Sequence, residues 1–478
     1  MDDLLNLYAN LDDPNFSNKP VKKIQKPKFL SQNKKKPVQK VPNRKSPTKN
    51  EPLSIFDQKK LSKDDIEEDK IIIGKEDVKS KIDIKKIENI IENLDDKNRK
   101  YKSVEELQNV LKNLSEKNNL NNEENKSFLA YCWITKNINY YIGSKPDNSP
   151  LGALQKRITQ CSGYSRLFKE LLKIFNIKSI LVHGCGRTYS LNPKPKEENH
   201  EWNAIKINGE YYLCEVTWGS GKVEGGKFIK SYNTFYFCTP PEQFIQTHLP
   251  SKDLEKWQLL EKKINRNEFD NLLYKDKFYY FYEFTNITPN NGIVKLNGQN
   301  NYDIKIENKN EVNNLRISCK VYLNQTLIEN TSYIERFNNY FLIHLILNKK
   351  GRYNILLFTT NKSGTAYSNL ILRQQCEVLS DSKENKSFPT MLNFPDDLHI
   401  IEPIFNNLPK NKEILFKLSS NNIEDMGMVV DKKCIHLKRE GNIFKEKIVI
   451  KGDEILVGKF TEDNPKSLKV MVKYNIKK

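Results

Sequence analysis

The sequence predicts an α+β domain followed by two all-β sandwiches, behind a basic N-terminal arm that builds no core. Three observations carry this prediction. Helical periodicity gives way to strand periodicity at Ile180, and all four Trp fall between positions 133 and 257, marking one well-developed core. Beyond that core, short alternating runs recur at roughly ten-residue spacing between Asn, Gly and Lys clusters, the pattern of a sandwich. Residues 14–50 hold 12 Lys or Arg, six Pro and no Asp or Glu. Such a stretch cannot bury enough apolar surface to offset its chain entropy.

In chain order, 1–82 is assigned as a disordered basic arm and 83–265 as the α+β domain. "KKIENIIENL" opens the domain as a helix. "SVEELQNVLKNL" follows, with Ser103 and Glu106 in capping-box spacing and Val104, Leu107, Leu111 and Leu114 on one face. "SFLAYCWITKNI" is a third helix, and "CSGYSRLFKELLKIF" a fourth, whose Tyr164, Phe168, Leu171, Leu172 and Phe175 repeat at helical spacing. Strands follow as "SILVHG", "HEWNAIKI", "EYYLCEVTW" and "NTFYFCT", with Asn208-Gly209 a strong hairpin signal between two of them. The first sandwich, 275–380, is carried by runs such as "YDIKIEN", "LRISCKVYL" and "YNILLFTT". After the break "SDSKENKSFPT", the second, 388–478, is carried by "EILFKLSS", "IVIKG" and "LKVMVKYN".

The bulk numbers bound the class. The chain has 478 residues, 37% of them hydrophobic, and a formal net charge of +19. That balance favours acidic partners in general, among them anionic surfaces. The basic runs of the arm, such as "NKKKP", have no interleaved aromatics, so specific nucleic-acid binding is not expected. Eight Cys without a CxxC pair, and an acidic start "MDDLLNLYANLDD", predict a reduced, cytoplasmic protein. The longest apolar run, "YFLIHLIL", is too short to span a bilayer, so no transmembrane segment is expected.

Cys161 opens the fourth helix, with Gly163 beside it. The first turn of a helix stabilises a thiolate, and a nucleophilic thiol needs a base oriented by an acid. The hairpin can supply both. If Asn208-Gly209 is a two-residue loop, Ile207 faces Glu210, Trp202 faces Glu215 and His200 faces Thr217. His200, Trp202, Glu215 and Thr217 then share one face, with His200 and Glu215 as diagonal neighbours.

The pieces "CSGYSRLFKELL", "HEWNAIKI" and "CEVTWGSG" resemble, in order, the transglutaminase-like superfamily, whose papain-like core orders its triad Cys, His, Asp. The tail "FYFCTPPEQFIQTHLPSKDLEKWQLL" is similar to the kyphoscoliosis peptidase group, and the β region resembles that group's immunoglobulin-like modules. The resemblance implies Cys161 as nucleophile, His200 as general base and Glu215 as the acid, where the family usually has Asp. The backbone N–H of Cys161 with Gln155 or Gln160 would stabilise an oxyanion. Gly163, Trp202, Thr217 and Trp218 would line the site.

A metal reading through His183, Cys185, His200 and Cys214 lacks the close ligand pair of zinc sites, so no metal is expected. Acyl-enzyme chemistry needs no cofactor. The loop "NPKPKEEN" ahead of His200 is read as a gate over the site or as a plain connection. Two functions remain. The first is a cysteine peptidase or amide-acyl transferase acting on protein substrates in a cytoskeletal setting, as the resemblance implies. The second is a catalytically weak or inactive papain-like scaffold that binds cytoskeletal partners through its β-modules and basic arm.

Overall fold

The computed structural model describes residues 71–477 apart from 95, 97, 98, 145, 189–197, 299, 313, 314, 362–368, 393, 462 and 463. The expected arm up to position 70, and the loop at 192–197, lie outside the described residues. Residues 71–82, assigned to the arm from sequence, belong to the folded body. Gly74 N–H donates to the Tyr211 carbonyl at 3.1 Å, and Val78 is buried in the main core. The physical reason is the "IIIG" run, whose Ile71 and Ile73 pack under the sheet.

Five helices build the first layer: α1 (Ile84–Glu92), α2 (Val104–Lys117), α3 (Glu123–Asn137), α4 (Pro150–Lys156) and α5 (Cys161–Lys173). Ser103 caps α2 as expected, its hydroxyl accepting from Glu106 N–H at 3.4 Å. Helix α3 is buried on nearly every side, Phe128 through Ile134 all at 0% exposure, so it is the axis of the domain. An amphipathic stripe is absent there because neighbours cover the helix all round.

Against these helices lies an antiparallel sheet, ordered β3-β2-β1-β4, of β1 (Ser179–Gly186), β2 (His200–Ile207), β3 (Glu210–Cys214) and β4 (His248–Pro250). The β2–β3 register runs from Ile207↔Glu210 to Asn203↔Cys214, as the two-residue loop requires. Asn208 and Gly209 take φ of 50° and 87°, the left-handed pair that such a turn needs. The ladder stops at Cys214. Glu215 is the N-cap of a short helix, α6 (Val216–Ser220), so the expected pairings of Glu215 with Trp202 and of Thr217 with His200 do not form. The carboxylate of Glu215 accepts from the N–H of Thr217 and Trp218, and this cap turns the chain out of the sheet.

The β region forms two sandwiches of one topology. In the first, β5 (Phe284–Thr288), β6 (Ile293–Leu296), β7 (Asn301–Asn308), β8 (Leu315–Leu323), β9 (Thr326–Ile328), β10 (Ser332–Arg336), β11 (Tyr340–Ile346), β12 (Gly351–Asn361) and β13 (Asn369–Val378) make two sheets, β5-β7-β11-β10 and β6-β13-β12-β8-β9. The second repeats this with β14 (His399–Glu402), β15 (Leu408–Pro409), β16 (Glu413–Ser419), β17 (Met426–Val430), β18 (Lys433–His436), β19 (Lys438–Glu440), β20 (Ile443–Val449), β21 (Glu454–Thr461) and β22 (Asn464–Lys477). Its sheets are β14-β16-β20-β19 and β15-β22-β21-β17-β18, with the short strand Thr390–Met391 also antiparallel to β22. In both, the opening strand pairs antiparallel in one sheet and its continuation pairs parallel to the last strand of the other. That is the immunoglobulin arrangement. Near the start of β12, Tyr353 hydroxyl donates back to the Lys349 carbonyl at 2.8 Å, a tyrosine corner.

Candidate active site

Cys161 is the first residue of α5, after Gln160 in extended conformation as N-cap. It is 8% exposed. Its helix is stitched to β2 through Ser165, whose hydroxyl lies 3.0 Å from the Cys161 carbonyl and 2.9 Å from the Glu201 carbonyl. Asn203 Nδ2 donates to the Ser165 carbonyl at 3.0 Å. These contacts set the start of the helix against the start of the strand, and His200 is the first residue of that strand.

His200 Nε2 lies 2.6 Å from Glu215 Oε2, and the Cys161 side chain is the other neighbour that acts on its charge. Nε2 being taken by Glu215, Nδ1 is the nitrogen left for the thiol. The three residues that sequence analysis singled out are therefore brought together, with the imidazole in the middle. Glu215 is fully buried, yet all its bonding is met: Oε1 accepts from Thr217 N–H at 2.6 Å and Trp218 N–H at 3.1 Å, and Oε2 faces His200.

Burial acts on every charge here and is overruled by partners at two of them. Burial alone would lower the His200 pKa, but the Glu215 carboxylate and the Cys161 side chain together raise it to about 10. Burial would likewise raise the Glu215 pKa, but His200, then His248, hold it well below the usual carboxylate range. The raised pKa favours the charged imidazole, whose two nitrogens can donate toward the carboxylate and the Cys161 sulfur.

The remaining predicted residues separate. Trp202 and Trp218 flank the imidazole, with ring centroids 6.2 and 5.4 Å from it. Thr217 is buried on α6, its Oγ1 without a hydrogen-bond partner. Gly163 sits over Thr159, where an added Cβ would lie 1.9 Å from Oγ1. Gln155, on α4, donates to the Tyr101 carbonyl at 3.4 Å, and Gln160 to the Gly143 carbonyl at 3.0 Å, so neither amide is aimed at the thiol. The four-residue metal set does not form as a cluster. His183 faces Glu198 and Asp253 at 3.9 and 4.0 Å, Cys185 packs with Leu249 and Phe269, and Cys214 neighbours Cys238.

Sequence reasoning missed His248. It is fully buried, its Nε2 is 3.4 Å from Glu215 Oε2, and its ring stacks on Phe244 at 4.3 Å. A histidine inside the apolar run "FIQTHLP" was the available signal. His200, Glu215 and His248 place their donor atoms within 4.8 Å, a set that a divalent cation could use. His200 and Glu215 already satisfy one another through their 2.6 Å bond, which a cation would have to break.

A cysteine at a helix start, a strand-borne histidine and a following carboxylate, held between a helical layer and an antiparallel sheet, define a transglutaminase-like domain. The family model described as Transglutaminase-like superfamily matches residues 112–216. The chain is 29% identical over 180 residues to Kyphoscoliosis peptidase of Mus musculus and, equally, of Homo sapiens. Each match covers 35% of this chain and 27% of the relative. Hillarin of Drosophila melanogaster is 25% identical over 176 residues, covering 33% of this chain and 21% of Hillarin. These matches support placing the domain in the transglutaminase-like superfamily, with similarity to the kyphoscoliosis peptidase group. The match spans about a quarter of the length of the Kyphoscoliosis peptidases.

Proposed function

We propose that the chain is a cysteine-type amide hydrolase or acyl transferase acting on protein substrates. The observation that carries this is the His200 imidazole held 2.6 Å from a fully buried carboxylate, with the Cys161 side chain close enough to help raise its pKa. In this reading the Cys161 proton passes to His200, and the Sγ thiolate attacks the carbonyl carbon of a peptide or glutamine carboxamide. His200 gives its proton to the departing nitrogen as the C–N bond breaks, leaving a thioester on Cys161. Water or an amine then attacks the thioester, losing a proton to His200, and the thiol is regenerated. Glu215 keeps the imidazole in one orientation and stabilises its charged form. The helix-terminal N–H of Cys161 is the nearest donor for the oxyanion.

The group resemblance extends this reading to a cytoplasmic, cytoskeletal setting, with the two sandwiches as the partner-binding modules. The test of the chemistry is the rate of Cys161 alkylation by iodoacetamide between pH 5 and 9, beside His200→Ala. Reaction at pH 6 at least about tenfold faster than in His200→Ala is expected, because the raised His200 pKa keeps the imidazolium through neutral pH. Equal rates in the two proteins would overturn the enzyme reading and leave a papain-like scaffold.

A further inference from the structure

We infer that His248 is a positioning residue of this site, its imidazole donating Nε2–H to Glu215 Oε2 and thereby holding the carboxylate where it orients His200. The inference rests on the reading of Cys161, His200 and Glu215 as a triad.

The tautomer follows from what surrounds the ring. His248 Nδ1 lies 2.8 Å from Thr247 Oγ1, and Nε2 is buried without a hydrogen bond, with Glu215 Oε2 3.4 Å away. Burial pushes the His248 pKa down to about 4, so the ring carries one proton at neutral pH. If that proton sat on Nδ1, an Nε2 lone pair would face an anionic oxygen in a site with no exposure, which is repulsive. With the proton on Nε2, that hydrogen faces the carboxylate 3.4 Å away, and the Thr247 hydroxyl, which also reaches the Phe244 carbonyl at 3.3 Å, can turn to donate to Nδ1.

Glu215 needs such a support. It has one more rotatable bond than Asp, and its Oε1 is committed to the cap of α6. Oε2 alone would have to find His200. A second imidazole on Oε2, locked by rings of Phe244 at 4.3 Å, Trp218 at 4.5 Å and Trp202 at 5.1 Å, narrows the positions open to it. The same arrangement gives the tail segment carrying β4 a task in the site, since β4 is held beside β1 by Gly186↔His248 and Cys185↔Leu249.

Two measurements test it. Side-chain 15N NMR at pH 7 should show His248 as the neutral Nε2–H tautomer, whether or not Cys161 is activated. An Nδ1–H tautomer or an imidazolium overturns the proposal. The second is the Cys161 alkylation profile in His248→Phe, which keeps an aromatic ring in the cage, and in His248→Gln, whose amide can donate. His248→Phe should slow the reaction at pH 6 by on the order of tenfold, and His248→Gln should recover most of it. A Phe variant that matches wild type, or a Gln variant that falls as far as Phe, overturns the proposal. Should His248→Phe fail to fold, Thr247→Val decides, since losing the hydroxyl should slow Cys161 in the same direction and an unchanged profile overturns the role. Failure of the triad reading is seen separately, as a wild-type profile that His200→Ala does not alter.

Discussion

Glu215 performs two tasks with one carboxylate, capping α6 through Oε1 and meeting His200 through Oε2. Asp has one methylene fewer and cannot span both from the same backbone position. Glu215→Asp is therefore expected to slow Cys161 alkylation at pH 6 by on the order of tenfold, although Asp is the residue usual in the family. A faster reaction would show that the longer acid is a handicap. Next to His200, Glu201 is buried with Oε1 lacking a hydrogen bond and facing Arg166 Nε only at 3.8 Å. Burial pushes its pKa up to about 7. The folded state thus holds a proton that the unfolded chain releases near pH 4.5, and stability falls as pH rises through that window. Glu201→Gln should stabilise the domain at pH 8 by on the order of 2–3 kcal/mol and leave it nearly unchanged at pH 4, read as the difference in thermal midpoints.

Two elements control where the thiol and the imidazole meet. The start of α5 is pressed against Thr159, and only a residue without a Cβ fits at Gly163. Gly163→Ala must move the first turn of the helix or Thr159. It is expected to cost about 1–3 kcal/mol in thermal stability and to lower Cys161 reactivity with it. A melting temperature equal to wild type would show that this turn is not as tightly held. The β2–β3 hairpin sets the other partner. Its register follows from Asn208-Gly209, and β2 has no freedom to slip because Trp202 and Ala204 face one core while Ile205 faces another.

The parts are joined by buried polar contacts as well as by apolar packing. Arg187, 2% exposed, follows β1 and donates to the carbonyls of Gln246 at 2.7 Å, Phe269 at 2.8 Å and Leu272 at 3.4 Å. Those carbonyls belong to the segment that carries His248 and then enters the first sandwich, where Tyr274 pairs with Arg373 of β13. Arg187→Met would leave buried carbonyls unpaired and is expected to lower stability by about 3 kcal/mol, with a fall in the thermal midpoint as the readout. Between the sandwiches, Glu335, which also accepts from His344 of its own sheet, accepts from His399 at 3.0 Å, and Tyr333 hydroxyl accepts from Ile400 N–H at 2.9 Å. Among the described residues no helix is long and apolar enough to cross a membrane.

Much of this was legible in the chain itself. Helical and strand periods are local, and they marked the α+β core and the two β regions. The Asn208-Gly209 turn encodes its own register, and Cys161, His200 and Glu215 stand in an order that pointed to one site. What local patterns could not carry was contact between distant segments. Glu215 read as a strand residue because alternation continues through "CEVTW", whereas its carboxylate finds a better partner in the N–H groups of Thr217 and Trp218 and ends the strand. Residues 71–82 read as arm because their composition is charged, yet Ile71 and Ile73 find a sheet to pack on. His248 stands 33 positions beyond Glu215, with nothing periodic linking them. Only the pairing of β4 with β1 brings its ring to the carboxylate, so the sequence determined which residues could do chemistry and the tertiary structure decided which of them meet.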